Sequence, residues 1–183
     1  DLNYQIIIEV INTSEVTKMD MFFSAKRQSL NEFLTNFHKE NIDDAKLGSP
    51  LIFHAMSNND PTNRYEIVKF LIDEGVNLNV INAENETLFH VLFSRQKQSF
   101  EETIILAKFL HAEVDINHLD SKNRVAFQWL INSKYSDKEL TLFYDWFFSN
   151  KKLVLSVKND WGFSPIDLIQ KNTSRVDLLK RIN

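Results

Sequence analysis

Two histidines and an aspartate are spaced in a way that is typical of some metal sites. His111, Asp115 and His118 follow one another at short intervals, and imidazole and carboxylate groups are common Zn²⁺ ligands. We expect His111 to end a helix and the other two to lie on the hairpin that follows, so the side chains would converge only by accident. A metal-dependent enzyme built on them is the least favoured function, and we expect no metal or other cofactor.

Most other catalytic patterns need residues that this chain lacks. It has no cysteine and only three glycines, which excludes a thiolate nucleophile and the glycine-rich loops that hold phosphate groups. The adjacent acids at residues 43–44 and 101–102 stand at predicted helix or turn starts, where capping and the helix dipole account for them. No spacing points to a Ser-His-Asp site. We therefore expect a protein that is not an enzyme and takes no small-molecule substrate.

Four stretches of the chain share one pattern, and the same kind of element must form at each. They are Asp44–Ala55, Asn82–Phe93, Asp120–Ile131 and Asn159–Gln170. Each begins with Asp or Asn, and the last three have Asn or Gly three residues on, before an apolar run. The residue that opens this run, first Ser49, recurs at intervals of 38, 38 and 39 residues. A period of this size indicates an internal repeat.

The pattern resembles the ankyrin repeat, whose unit opens D-x-x-G-x-T-P-L-H-x-A-A. Matching residues are Ser49–Leu51, Thr87–His90 and Ser164–Ile166 for the first half of the unit, with Glu66–Asn79 and, more loosely, Lys108–Asn117 for the second. The resemblance implies an all-α ankyrin-repeat solenoid of about five helix-turn-helix repeats with short β-turn hairpin tips. The implied repeats within residues 17–183 are 17–43, 44–81, 82–119, 120–158 and 159–183.

Residues 1–16 are expected to form an N-terminal arm ahead of the repeats. The segment Tyr4–Ile11 fits both an alternating strand and an amphipathic helix, and its β-branched residues favour the strand. Such an apolar segment must be buried against the first repeat or a partner.

Capping boxes predict where the second helix of each repeat begins. The pairs are Ser29/Glu32, Asn63/Glu66, Ser99/Glu102, Ser136/Glu139 and Ser174/Asp177, and they place helix starts near residues 30, 64, 100, 137 and 175. The turns between repeats need a residue that tolerates positive φ, which Asn85, Asn123 and Gly162 supply. Leu47 stands at the equivalent position, so that turn is expected to depart from the pattern.

In ankyrin proteins, partners usually meet the concave face formed by the hairpin tips and first helices. Carried over by position, the candidate partner-binding residues are Glu84, Glu86, Arg95, Lys122, Arg124, Lys158, Trp161 and Phe163. Trp161 and Phe163 either contact a partner, because aromatic rings at a polar turn expose apolar area, or fold over the final helix pair as a C-terminal cap. His90 takes the place of the family's helix-1 histidine, which implies a hydrogen bond to the backbone of the neighbouring turn.

Charge is distributed unevenly along the chain. Residues 151–183 carry seven basic and three acidic side chains, a balance of +4, whereas the whole chain is −4, so residues 1–150 sum to −8. Such asymmetry orients an incoming partner. We expect a non-catalytic protein–protein interaction module whose protein partner is acidic, and we disfavour nucleic acid because the other repeats would repel a duplex. The alternative is an interaction domain of a larger enzyme or effector, since the chain begins at Asp1 without an initiator methionine.

Nothing in the sequence indicates a membrane protein. The longest unbroken apolar run, Ile104–Ala107, is far too short to cross a bilayer, and the N-terminus lacks the order of a signal peptide. The absence of cysteine fits a reducing compartment. We expect a cytoplasmic protein without membrane contact.

Overall fold

A computed structural model describes residues 21–183, and the expectations for the N-terminal arm lie outside this range. The chain divides into two compact units, one that runs to Val76 and one that spans Asn77–Asn183. Both are built almost entirely from helices, which confirms the all-α prediction. No helix in the described residues is long and apolar enough to cross a membrane.

The first unit contains four helices and one short hairpin among its described residues. Residues 21–27 form helix α1, and the rest are α2 (Leu30–Asn36), a 3₁₀ turn (Lys39–Asn41), β1 (Ala45–Lys46), β2 (Ser49–Pro50), α3 (Leu51–Met56) and α4 (Pro61–Asp73). Helix α4 packs against both α2 and α3. Phe33 is fully buried at this contact, and its ring centroid lies 6.2 Å from that of Phe70 in an edge-to-face arrangement, which aromatic rings prefer.

The second unit consists of helices in two rows. Its elements are α5 (Leu88–Ser94), α6 (Phe100–Leu110), α7 (Gln128–Ile131), α8 (Asp137–Ser149), α9 (Pro165–Lys171) and α10 (Val176–Ile182). Helix α7 packs between α5 and α9, and α8 packs between α6 and α10. The core between the rows is aromatic: the rings of Phe93 and Phe147 lie 4.7 Å apart, and those of Phe127 and Phe147 lie 5.1 Å apart.

Five second helices begin close to the predicted residues, at Leu30, Pro61, Phe100, Asp137 and Val176. Two of the five capping boxes are confirmed, because Ser29 and Ser136 each accept from the backbone three residues on while the paired glutamate accepts in return. These reciprocal bonds satisfy N–H groups that the first helical turn leaves unpaired.

The other three boxes were wrong. Helix α4 begins earlier than Asn63, because Pro61 suits the first helical turn and Asp60 accepts from the Asn63 N–H. Ser99 is at the cap of α6, but its side chain makes no capping bond. Helix α10 is capped from another element: the Asp177 N–H donates to Asp137, 2.8 Å away, while the Ser174 hydroxyl bonds to Asn172.

The predicted turn positions are confirmed. Asn85, Asn123 and Gly162 have φ of 55°, 56° and 80°. The turn at Leu47 is shorter than the turns at these three positions, because only Leu47 and Gly48 connect the paired strands β1 and β2. Leu47 nevertheless has φ of 52°, a conformation that costs an L residue about 1–2 kcal/mol.

Candidate functional site

Three turns of the second unit share one framework. We call them tip A (residues 82–86), tip B (residues 120–124) and tip C (residues 159–163). In each, the side-chain oxygen of the first residue accepts from the N–H groups of the third and fifth. These bonds join Asn82 to Glu84 and Glu86 (3.0 and 2.9 Å), Asp120 to Lys122 and Arg124 (both 2.9 Å), and Asn159 to Trp161 and Phe163 (3.0 and 3.1 Å). Such Asx bonds hold each turn in a single shape.

Backbone hydrogen bonds connect the three tips in order. The Ser121 N–H donates to the Glu84 carbonyl of tip A at 2.9 Å, and the Asp160 N–H donates to the Lys122 carbonyl of tip B at 3.2 Å. The Asn123 amide also donates to the Asp160 carboxylate at 2.7 Å. We refer to this chain of bonds as the hairpin ladder, and it fixes the spacing of the side chains that the tips display.

Two histidines contact backbone carbonyls of tips A and B. His90 is fully buried, and its Nε2 donates to the Arg124 carbonyl at 2.9 Å while its Nδ1 accepts from the Thr87 N–H at 3.2 Å. This confirms the expected bond to the neighbouring turn. Burial lowers the pKa of His90, against the effect of the Arg124 hydrogen bond, so the ring is neutral near pH 7. His118, considered above as a metal ligand, instead contacts the Asn85 carbonyl at 3.0 Å.

Three of the predicted partner-binding residues make close contacts within the molecule. Both Nε and Nη2 of Arg124 reach the same Asp120 oxygen, at 2.7 and 2.6 Å, and the guanidinium lies 4.6 Å from the centre of the Trp129 ring. The half-buried Glu86 accepts from the Asn82 amide at 2.8 Å. Arg95 is half-buried, and burial lowers its pKa despite the neighbouring charge of Glu86.

All of the remaining predicted residues except Phe163 are exposed, and two of them, Trp161 and Phe163, are aromatic residues of tip C. Trp161 is 59% exposed, so it does not fold over the final helix pair. The Lys122 Nζ lies 6.0 Å from the centre of its ring. Phe163 is half-buried, and the Lys171 Nζ lies 3.8 Å from the centre of the phenyl ring. Glu84 and Lys158 are exposed as predicted.

Three lysines at this end form no close ion pair within residues 21–183. Asp167 accepts hydrogen bonds from the backbone N–H and the hydroxyl of Ser164 in a capping box. These bonds lower the pKa of the Asp167 carboxyl, and the charges of Lys158 and Lys171 lower it further. Among the described residues, neither of these lysines nor Lys122 has a carboxylate within 4.0 Å. Each of the two rings therefore has an ammonium group beside it, Lys122 at Trp161 and Lys171 at Phe163. Their proximity depends on contacts between tips, which sequence spacing alone does not reveal.

His111, Asp115 and His118, whose spacing is typical of some metal sites, do not converge. The His111 ring packs edge-on against Trp146, with 5.9 Å between ring centres, and Asp115 accepts from the Asn117 N–H at 2.9 Å. Both line an open groove of about 600 Å³. Within residues 21–183 no three His, Asp or Glu side chains are placed to hold a metal ion.

Comparison with known proteins shows that the fold of this chain is similar to that of a solved structure. No family model matches the chain. No curated protein sequence matches it. Among solved structures, a functionally unknown protein from Leptotrichia buccalis C-1013-b is similar, with a TM-score of 0.74, 27% sequence identity and coverage of 92% of both chains. This similarity extends over nearly the whole length and brings no activity with it.

Proposed function

We propose that the chain is a non-catalytic ankyrin-repeat module that binds a macromolecular protein partner through the surface formed by its hairpin tips and first helices. The hairpin ladder carries this proposal. The same backbone framework recurs three times in the second unit, yet the exposed third residue is Glu84, then Lys122, then Trp161. A rigid frame that displays a different side chain at each step is suited to recognition, because little conformational entropy is lost on binding.

The ankyrin assignment is supported by independent features. The sequence period, the positive φ at Asn85, Asn123 and Gly162 and the two rows of packed helices all fit stacked helix-turn-helix units. The His90 bond to the next turn fits as well. We extend the proposal to a cytoplasmic location.

The charge pattern supports a protein partner with acidic character. The Lys122 Nζ lies beside the Trp161 ring and the Lys171 Nζ beside the Phe163 ring, and neither these lysines nor Lys158 form an ion pair among the described residues. Residues 1–150 sum to −8, which disfavours a nucleic acid duplex. As an alternative, the chain is the interaction domain of a larger enzyme or effector.

Site-specific photocrosslinking in the native host tests the proposed function. A photoreactive phenylalanine analogue replaces Ser121 on tip B, and in the matched control it replaces Lys138, which is exposed on α8. We expect the Ser121 position to crosslink a discrete protein that mass spectrometry identifies, and the Lys138 position to leave that protein unlabelled. Equal labelling from both positions, or none from Ser121, contradicts the proposed surface.

A further inference from the structure

We propose that the Trp161 end of the hairpin ladder is a docking edge for an acidic polypeptide segment. The segment donates a backbone N–H to the Trp161 carbonyl, packs an apolar side chain on the indole, and places a carboxylate beside Lys122. This inference rests on the proposed function, because the edge continues the same surface. It goes further by naming the site, the chemistry of the ligand and the backbone contact.

The backbone contact follows from the periodicity of the ladder. The carbonyl of the third tip residue accepts an N–H from the following tip, first at Glu84 and then at Lys122. Trp161 is the third residue of tip C, so its carbonyl is the next acceptor in the series. Within residues 21–183 no donor reaches this carbonyl. Among the described residues tip C is the last tip of the series, and an open main-chain acceptor is the feature that strand-addition recognition uses.

Trp161 is an apolar anchor on a preorganised backbone turn. Its backbone N–H is held by Asn159 at 3.0 Å, and Gly162 closes the turn with φ of 80°. The indole is nevertheless 59% exposed. An exposed tryptophan on a rigid turn offers a large contact area at low entropic cost, and tryptophan is among the residues most enriched at binding hot spots.

The surrounding charges select an acidic segment. Asp160 is the carboxylate nearest in sequence to Trp161, and it already accepts from the Asn123 amide at 2.7 Å. Asp167 is used by the Ser164 capping box. The Lys122 ammonium group lies 6.0 Å from the centre of the indole ring and has no carboxylate within 4.0 Å among the described residues, so a carboxylate on the segment can form a direct ion pair with it. Single-stranded nucleic acid also stacks on tryptophan, but its sugar-phosphate backbone carries no N–H to donate to the Trp161 carbonyl.

Selection from a library of random peptides, displayed on phage and applied to the full chain, tests this edge. We expect enrichment of peptides in which acidic residues flank a large apolar residue. Binding of a selected peptide should fall about tenfold or more in Trp161→Ala and several-fold in Lys122→Ser. It should stay unchanged in Lys138→Ser, and all three variants should keep the wild-type melting temperature. Basic or uncharged selected peptides, or full binding by Trp161→Ala, would overturn the proposal.

Backbone N-methylation isolates the hydrogen bond to Trp161. Each peptide bond of a selected peptide is methylated in turn, and binding is measured by fluorescence anisotropy. We expect one central methylation to remove most of the affinity in wild type. Because Trp161→Ala keeps the main-chain carbonyl, the same methylation should weaken the remaining binding of that variant by a similar factor. Uniformly small effects at all positions would rule out the backbone contact.

A fluorescent oligothymidine serves as the competing probe. Binding of this probe that exceeds peptide binding and is lost in Trp161→Ala would assign the edge to nucleic acid and reject our inference. Failure of the edge and failure of the proposed function are distinguishable. If Ser121 still crosslinks a partner while Trp161→Ala leaves peptide binding intact, the interaction surface stands and only the docking edge is wrong.

Discussion

At the scale of single residues, the closing position of each hairpin turn shows how backbone sterics constrain side-chain choice. Asn85, Asn123 and Leu47 all have φ between 52° and 56°. Asn adopts this conformation at a lower cost than Leu, and here the Asn123 amide also donates a hydrogen bond to Asp160 of the next tip. Leu47 is also 91% exposed, so no burial offsets the strain.

Replacing Leu47 should therefore stabilise the protein. We expect Leu47→Asn to raise the free energy of unfolding by about 0.5–1 kcal/mol, measured by urea denaturation. Leu34→Asn is the matched control, because Leu34 is 41% exposed on helix α2 and has no positive φ to relieve. A loss of stability in Leu47→Asn would mean that its side chain makes contacts that outweigh the backbone strain.

Asp120 predicts a pH dependence at the same scale. Burial raises the pKa of its carboxyl, but hydrogen bonds from Arg124 and Lys122 outweigh burial and hold the pKa below the ordinary value of 3.8. A depressed folded-state pKa adds stability that is present above pH 3.8 and is lost as the pH falls through the lower folded value. We expect Asp120→Asn to be less stable than wild type at pH 7 and to lose less stability on acidification. Parallel curves from pH 7 to pH 2 would contradict this assignment.

At the scale of helices, local sequence located the elements better than it located their caps. Ser29 and Ser136 cap as predicted because both box partners belong to the same helix. Ser174 does not cap its helix, because the Asp177 N–H donates to the Asp137 carboxylate of another helix instead. Arg175 shows the same limit: its guanidinium donates to the Ile131 carbonyl at 2.9 Å from far along the chain. Spacing within one helix cannot report such partners.

The contrast between Ser136 and Ser99 tests the cap assignment. Ser136→Ala removes a formed capping box and should lower the free energy of unfolding by about 0.5–2 kcal/mol. Ser99→Ala should change it by less than about 0.5 kcal/mol, because the Ser99 side chain makes no capping bond. Equal losses in thermal or urea denaturation would show that the cap geometry does not govern stability at these helix starts.

At the scale of the molecule, the sequence predicted the uneven distribution of charge, but it did not predict which basic residues form ion pairs. Of the seven basic residues in 151–183, Arg175 is buried against backbone carbonyls, Arg181 pairs with Asp145 at 2.7 Å and Lys180 pairs with Asp177 at 3.8 Å. Lys158 and Lys171 have no carboxylate within 4.0 Å among the described residues, and the Lys171 Nζ lies 3.8 Å from the centre of the Phe163 ring. The repeat period was enough to place Trp161 at a tip, whereas contacts between tips determined which cations surround it.

Charge and aromatic surface should therefore act on different rate constants of partner binding. Long-range attraction by exposed lysines speeds association, while buried aromatic contacts slow dissociation. The binding partner here is the protein that crosslinking from Ser121 identifies. We expect Lys158→Gln combined with Lys171→Gln to lower the association rate of this partner and to weaken the dependence of that rate on salt. Trp161→Ala should instead raise the dissociation rate by about tenfold or more and leave the association rate nearly unchanged. Surface plasmon resonance at several salt concentrations separates the two effects. If the lysine variant alters only dissociation, the lysines lie inside the contact, and the basic end of the chain does not steer its partner.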